Sequence, residues 1–215
     1  GRVCMLGTQD LWIFISAGVA LNLVPGQDFV FIANRSSNFG WRGGVLAALG
    51  VSAGSLAHVF AAAFGLSALL AGSSNAFIII KLVGGLYLVY VGLCMLLKNP
   101  TSNNNRHLLV GLSHHKTIFY QGFLTNALNP KVALFFIAFV PQFIAADAPN
   151  LRLSFLFLGF IFSFNGLVWC LIVAWFSAHI STKLKHASLL TRWSNMAAGG
   201  LFTYFGVSLL MSSGH

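Results

Sequence analysis

The stretch VLAALGVSAGSLAHVFAAAFGLSALLAGSSNAFIII, residues 45–80, contains no Asp, Glu, Lys or Arg. It exceeds the roughly 20 apolar residues that a helix needs to cross the hydrocarbon core of a bilayer. Over the whole chain 57% of residues are hydrophobic and 7% are charged, whereas a soluble domain carries about 25% charged residues. The chain is therefore predicted to be an all-α membrane protein, because the short alternating segments of a membrane β-barrel are absent.

Polar breaks divide the chain into about six predicted transmembrane helices. The predicted spans are 11–33, 45–70, 76–97, 118–144, 152–178 and 194–213. They are grouped into an N-terminal tail at 1–10, a first three-helix repeat at 11–97, a cytoplasmic linker at 98–117 and a second three-helix repeat at 118–213. The Gly and Tyr spacing of residues 85–96 is repeated at 199–210. Three spans per repeat make the second repeat enter from the opposite face, which is the inverted-repeat architecture of many secondary transporters.

The basic residues are distributed unevenly between the two sides of the predicted membrane. Eight Lys and Arg fall in the breaks on one side, and three lie on the other. The eight are Arg35, Arg42, Lys98, Arg106, Lys116, Lys183, Lys185 and Arg192. Because cytoplasmic loops are enriched in Lys and Arg, both termini are predicted to lie outside. The formal charge of +9 is scattered between apolar runs, so no nucleic-acid partner is expected.

Two predicted spans are interrupted at comparable places. Residues 22–28 (NLVPGQD) contain Pro25 and Gly26, and residues 125–131 (TNALNPK) contain Pro130. Proline and glycine break helices, and a proline that begins a new half-helix leaves free N–H groups around it. The helix dipole makes such an end attractive to anions. Each break is therefore a candidate site for a carboxylate.

Asp28 and Lys131 are the clearest charged residues at predicted membrane depth. Such a charge costs about 2.5–3.5 kcal/mol on insertion scales, so it normally faces a partner or a wet cavity. In the functional hypothesis Lys131 and the half-helix at Pro130 bind a substrate carboxylate, while Asp28 binds an amino group or carries a coupling proton. A structural ion pair between Asp28 and Lys131 is the alternative. The neighbouring polar candidates, as substrate ligands or interhelical clasps, are Asn22, Asn126 and Asn129.

His58 lies in the middle of the second predicted span. It is a second candidate for proton coupling, and an interhelical hydrogen bond is the alternative. The nearby residues 50–54 match the Gly-x-Ser-x-Gly pattern of hydrolases, which would make Ser52 a nucleophile. That motif requires a strand-to-helix turn, whereas here it lies on a predicted membrane helix, so small residues for close helix packing are the favoured interpretation.

No metal site or cofactor is expected. The three cysteines, Cys4, Cys94 and Cys170, have no CxxC spacing, and the histidines of the linker have no Cys or carboxylate beside them. The sequence also has no phosphate-binding Gly-x4-Gly-Lys-Ser/Thr motif.

In combination these motifs resemble the LysE/RhtB family of amino-acid exporters. The resemblance rests on Pro25-Gly26-Gln27-Asp28, Gly50 to Gly54 with His58, Gly85-Leu86-Tyr87-Leu88, Gly122 to Asn126, Asn129-Pro130-Lys131, Pro141-Gln142-Phe143 and Gly199 to Gly206. One departure is Gln27, which replaces the second proline of the family's usual Pro-Gly-Pro-Asp motif. The resemblance implies a multi-pass protein of the bacterial inner membrane that is not an enzyme. It implies proton-driven export of amino acids or close derivatives, such as homoserine, threonine or lysine.

Other interpretations stay open at the sequence level. A related carrier could move a metal cation or a homoserine-lactone-type signal, and an intramembrane serine hydrolase is a further alternative. Phe135, Phe136 and Trp169 are candidates for the wall of a substrate site by position alone. The glycine-rich faces of the second, third and sixth spans could pack within one chain or between the subunits of a homo-oligomer.

Overall fold

A computed structural model of the protein describes residues 5–72, 115–145 and 147–179, with individual helical positions between 79 and 96 and between 196 and 211. Within these residues the regular structure is helical, apart from one isolated antiparallel bridge between Thr8 and Ile144. The predicted all-α class is confirmed for this part of the chain. The linker at 98–117 and most of the predicted third and sixth spans lie outside the described residues.

The first predicted span is a broken helix. Helix α1 comprises Leu11–Leu23, and α2 begins at Gln27 after an extended link that contains Pro25 and Gly26. The residue in place of the family's second proline is thus the first residue of α2. The break arises because proline lacks the N–H group that would continue α1.

Helix α2 comprises Gln27–Ala61 and reverses direction at Gly40. Gly40 has φ 69° and ψ −170°, a conformation open essentially only to glycine. The reversal brings Gly44 against Ser36, so the two halves of α2 form an antiparallel helical hairpin. The polar break between the predicted spans 11–33 and 45–70 is therefore helical, because a single glycine makes the turn and the flanking residues stay helical. Arg35 is consequently buried in the bundle rather than exposed in a loop.

Beyond α2 the chain continues through a π-helical turn, Ala62–Leu66, into α3, Ser67–Gly72. The second described segment contains α4, His115–Ala127, and α5, Pro130–Leu134. A π-helical turn, Phe135–Phe139, and a 3₁₀ turn, Val140–Phe143, follow α5. The long helix α6 comprises Leu151–His179. The predicted fourth span is thus also broken, with a bend of 46° between His115–Ala127 and Pro130–Phe143.

Small residues set the packing of α4 against the second half of α2. A methyl group at Gly54 would approach the Phe123 carbonyl oxygen to 2.6 Å, and one at Gly122 would approach the Ala47 carbonyl oxygen to 2.7 Å. A methyl group at Gly50 would also collide with α4, at the Phe119 carbonyl oxygen. The Gly-x-Ser-x-Gly residues therefore form a close helix crossing, as favoured above, in which backbone approaches backbone.

Helix α6 runs antiparallel to the second half of α2. The Ser55 and Ser163 hydroxyl groups are 2.9 Å apart, and Gly44 packs on Ala174 toward the other end of the crossing. Helix α1 runs parallel to α6, with Gly18 next to Phe162. Helix ends therefore gather at two opposite faces of the bundle.

Among the described residues, two helical stretches are long and apolar enough to cross a membrane: Gln27–Leu70, which includes the reversal at Gly40, and Leu151–His179. The bent stretch His115–Phe143 adds a third when it is counted as one span. A cluster of phenylalanine side chains fills the end of the bundle near the start of α1. Its rings are Phe14, Phe135, Phe136, Phe139, Phe143, Phe155 and Phe162. Toward the opposite face the core consists mainly of smaller side chains such as Ala47, Ala48 and Val51.

Described positions of the predicted third and sixth spans also contact each other through glycine. A methyl group at Gly206 would lie 2.8 Å from both the Gly85 carbonyl oxygen and the Val89 nitrogen. The repeated Gly and Tyr patterns at 85–96 and 199–210 thus meet at an interface within one chain.

Candidate functional site

The two helix breaks meet at Asp28, in the first turn of α2. Asp28 Oδ2 accepts hydrogen bonds from Asn126 Nδ2 at 3.0 Å and from Asn129 Nδ2 at 3.1 Å. Asn129 is also the N-cap of α5, where its Oδ1 accepts from the Lys131 N–H at 3.0 Å. One asparagine thus caps the second half-helix and orients the carboxylate at the start of the first.

Lys131 links the breaks in the reverse direction. Its Nζ donates to the carbonyl oxygens of Leu21 at 3.2 Å and Val24 at 3.4 Å, at the C-terminal end of α1. Its positive charge therefore lies at the negative end of α1, whereas Asp28 lies at the positive end of α2. The hydrogen bonds of Lys131 Nζ thus go to backbone carbonyls rather than to the Asp28 carboxylate, and the structural alternative of an Asp28–Lys131 ion pair stays a prediction.

A cavity of about 40 Å³ lies between the breaks. Its polar lining includes Asn22, Asp28, Ser52, Asn126, Lys131, Ser163 and Trp169. Its apolar lining includes Ile32, Val51, Phe162 and Leu167. Among the sequence candidates for the wall, Trp169 contributes, whereas Phe135 and Phe136 belong to the phenylalanine cluster.

Four buried polar atoms in the described part of the chain have no hydrogen-bond partner: Asn22 Nδ2, Asp28 Oδ1, Asn126 Oδ1 and Trp169 Nε1. All four belong to residues that line this one cavity. Most buried polar groups in proteins have a partner, so unpaired groups need an explanation. Two of these atoms donate and two accept, so the cavity offers complementary places for a solute that carries both kinds of group.

His58 is connected to this site through Asn126. Its Nε2–H donates to the Asn126 carbonyl oxygen at 3.0 Å, and its ring stacks on Phe136 with centroids 6.2 Å apart. His58 does not line the cavity between the breaks. It faces a second cavity of about 290 Å³ beside the π-helical turn Ala62–Leu66, whereas Ser52 lines the first. Ser52 and His58 therefore face different spaces, contrary to what a hydrolase nucleophile and base require.

Sequence reasoning identified most residues around the breaks and undervalued two. Cys170 lines the cavity between the breaks, although its lack of CxxC spacing gave it no role in the sequence. Trp169 was treated only as a possible wall, although its indole N–H is one of the unpaired atoms. A Trp one turn from Gly166 on a predicted membrane helix was the available signal, and the pattern alone could not show that α6 meets α1 there.

Comparison with known proteins identifies the family. The model of the LysE-type translocator family matches residues 19–213. The chain belongs to this family. The translocator is therefore a membrane protein of a transporter family, as the motif resemblance predicted.

Curated relatives cover almost the whole translocator. The leucine efflux protein of Enterobacter sp. (strain 638) is 29% identical over 203 residues, which are 94% of this chain and 96% of the relative. The leucine efflux protein of Salmonella typhimurium is 31% identical over 207 residues, 94% of this chain and 95% of the relative. An uncharacterised membrane protein of Pseudomonas aeruginosa is 30% identical over 210 residues, 95% of this chain and 96% of the relative. No solved structure matches the translocator.

Proposed function

We propose that the translocator exports aliphatic amino acids of the leucine type across the bacterial inner membrane, driven by the proton gradient. The observation that carries this proposal is the set of four unpaired polar atoms around one cavity. The acceptors Asp28 Oδ1 and Asn126 Oδ1 suit an ammonium group, and the apolar lining from Ile32, Val51 and Leu167 suits an aliphatic side chain.

The helix breaks supply the ammonium site. Asp28 keeps one oxygen free because Asn126 and Asn129 both bind the other oxygen. Lys131, tied to the end of α1, balances the negative charge without blocking it. Pro25, Gly26 and Pro130 interrupt the helices and so allow these groups to meet. The names of the leucine efflux relatives support an aliphatic substrate.

The proposed cycle couples proton binding to substrate binding at this cavity. The proposed proton-coupling group is Asp28. A protonated Asp28 carboxyl has lost the negative charge that binds the substrate ammonium, so proton and substrate compete for it. His58 is the second proton group, linked to Asp28 through Asn126.

The remaining spans complete the proposed transporter. The parallel course of α1 and α6 and the opposite course of the second half of α2 fit two inverted three-helix repeats. The distribution of Lys and Arg favours both termini outside. In this arrangement the linker at 98–117 lies in the cytoplasm.

Export from living cells tests the proposal. Cells that lack their own exporters are loaded with leucine-containing dipeptides, and leucine in the medium is measured with and without the translocator. We expect rapid leucine release that a protonophore abolishes. Failure to release any common amino acid, with the protein correctly inserted, would contradict the proposal and favour another small solute.

A further inference from the structure

The two unpaired donors at the cavity belong to residues other than Asp28 and Asn126. Trp169 Nε1 and Asn22 Nδ2 are both buried without a partner. An indole N–H can only donate, and the amide NH₂ of asparagine also only donates. Whatever pairs with these two atoms must therefore supply acceptors.

The two donors lie on adjoining elements. A methyl group built at Gly166 of α6 would lie 3.5 Å from Asn22 Nδ2, so the amide at the end of α1 rests beside Gly166. Trp169 follows Gly166 by three residues, which places both on the same face of α6. Asn22, Gly166 and Trp169 all line the cavity between the breaks.

We infer that Trp169 and Asn22 form the carboxylate subsite of the translocator, a deepening that rests on the proposed function. Two N–H donors that line one cavity match the two oxygens of a carboxylate, while Asp28 Oδ1 and Asn126 Oδ1 receive the ammonium group. Lys131 lines the same cavity and adds positive charge, but its ammonium is already bound to the Leu21 and Val24 carbonyls. The sequence predicted that Lys131 binds the substrate carboxylate. The inference instead gives this role to neutral donors on α1 and α6.

This subsite makes selectivity depend on the carboxylate. A solute that keeps the ammonium and aliphatic groups but lacks the carboxylate gains nothing from Trp169. A hydrogen bond to a charged group contributes about 1.5–3 kcal/mol, so its loss should weaken binding about 10- to 100-fold.

Calorimetric titration of the purified full-length protein with leucine and with 3-methylbutylamine, its decarboxylated analogue, tests the inference. We expect Trp169→Phe to weaken leucine binding about 10-fold or more and to leave 3-methylbutylamine binding within about twofold. Asn22→Leu should show the same discrimination. The matched control is Trp175→Phe, which removes an exposed indole from the same helix and should leave both affinities unchanged.

Equal weakening of both ligands by Trp169→Phe would overturn the inference, because it would indicate a structural role. Unchanged leucine binding would overturn it as well, and would indicate that water alone occupies the two donors. Should the variants fail to fold, the ¹⁵N-indole signals of the wild-type protein decide the question. We expect one indole signal to shift with leucine but not with 3-methylbutylamine. If no indole signal discriminates between the two ligands, the inference fails. Absence of leucine binding by the folded wild type would contradict the proposed function as well, whereas binding without discrimination contradicts this inference alone.

Discussion

Asp28 is one of three acidic residues in the whole chain. The other two, Asp10 and Asp147, are exposed near the ends of helices. Asp28 instead lies in the first turn of α2, where two asparagine amides and the helix dipole stabilise its negative charge. This surrounding explains how a carboxylate is tolerated within a candidate membrane span without a direct ion pair.

Lys131 has the complementary role at the end of α1, and replacing it should lower the stability of the protein. Lys131→Met removes the donor of the Leu21 and Val24 carbonyls, so we expect the free energy of unfolding to fall by about 1–3 kcal/mol. Thermal unfolding of the purified protein in detergent measures this. Lys131→Arg keeps a charged donor and should lose less. Equal stability of Lys131→Met and the wild type would show that the link between the breaks is not stabilising.

At the scale of the helices, the crossing of α2 and α4 depends on the absence of side chains. We predict that Gly54→Ala costs about 1–3 kcal/mol, because its methyl group would lie 2.6 Å from the Phe123 carbonyl oxygen and 2.8 Å from Asn126 Cβ. The matched control is Gly65→Ala, since Gly65 has no neighbouring atom within 4 Å of an added methyl group. Unfolding in denaturing detergent compares the two variants, and similar losses in both would contradict the close-packing account.

Gly40 tests a different property of glycine, its backbone freedom. No atom lies within 4 Å of a methyl group at this position, so Gly40→Ala causes no clash. Its φ of 69° with ψ of −170° nevertheless disfavours every side chain, and we expect a loss of about 1–3 kcal/mol in unfolding free energy. A stable Gly40→Ala variant would mean that the hairpin turn is not made in this conformation.

The sequence predicted the helix breaks well and their contacts poorly. Pro25, Gly26 and Pro130 mark the breaks directly, because proline and glycine act on their own backbone. The hydrogen bonds from Lys131 to α1 and the unpaired indole of Trp169 depend on elements more than 100 residues apart in the chain. No local pattern encodes such contacts. The helical structure of residues 34–44 was also not predicted, because polar residues there indicated a break, whereas one glycine is enough to reverse the chain.

At the scale of the whole molecule, the second half of α2 and α4 run in the same direction. The chain leaves α3 beside Asn150 and Leu151 at one face, whereas α4 begins near Ala47 toward the other. The predicted third span would supply the return crossing. Six spans, two inverted repeats and outside termini stay predictions.

Labelling of single cysteines tests the orientation. In a variant with Cys4, Cys94 and Cys170 replaced by serine, we expect Asp147→Cys to react with a membrane-impermeant maleimide added outside spheroplasts. His115→Cys should react only after the membrane is permeabilised. Both positions are exposed and lie at opposite faces of the bundle. The reverse labelling pattern would contradict the orientation inferred from the distribution of Lys and Arg.

The central claim is that the cavity between the helix breaks binds an amino acid through Asp28. Counterflow of radiolabelled leucine into proteoliposomes preloaded with unlabelled leucine measures it without contributions from cellular metabolism. We predict robust counterflow by the wild type and by Asp147→Asn, and a reduction of about 10-fold or more by Asp28→Asn, because the charged partner of the ammonium group is lost. Wild-type counterflow that Asp28→Asn leaves intact would contradict the account and place the substrate elsewhere in the bundle.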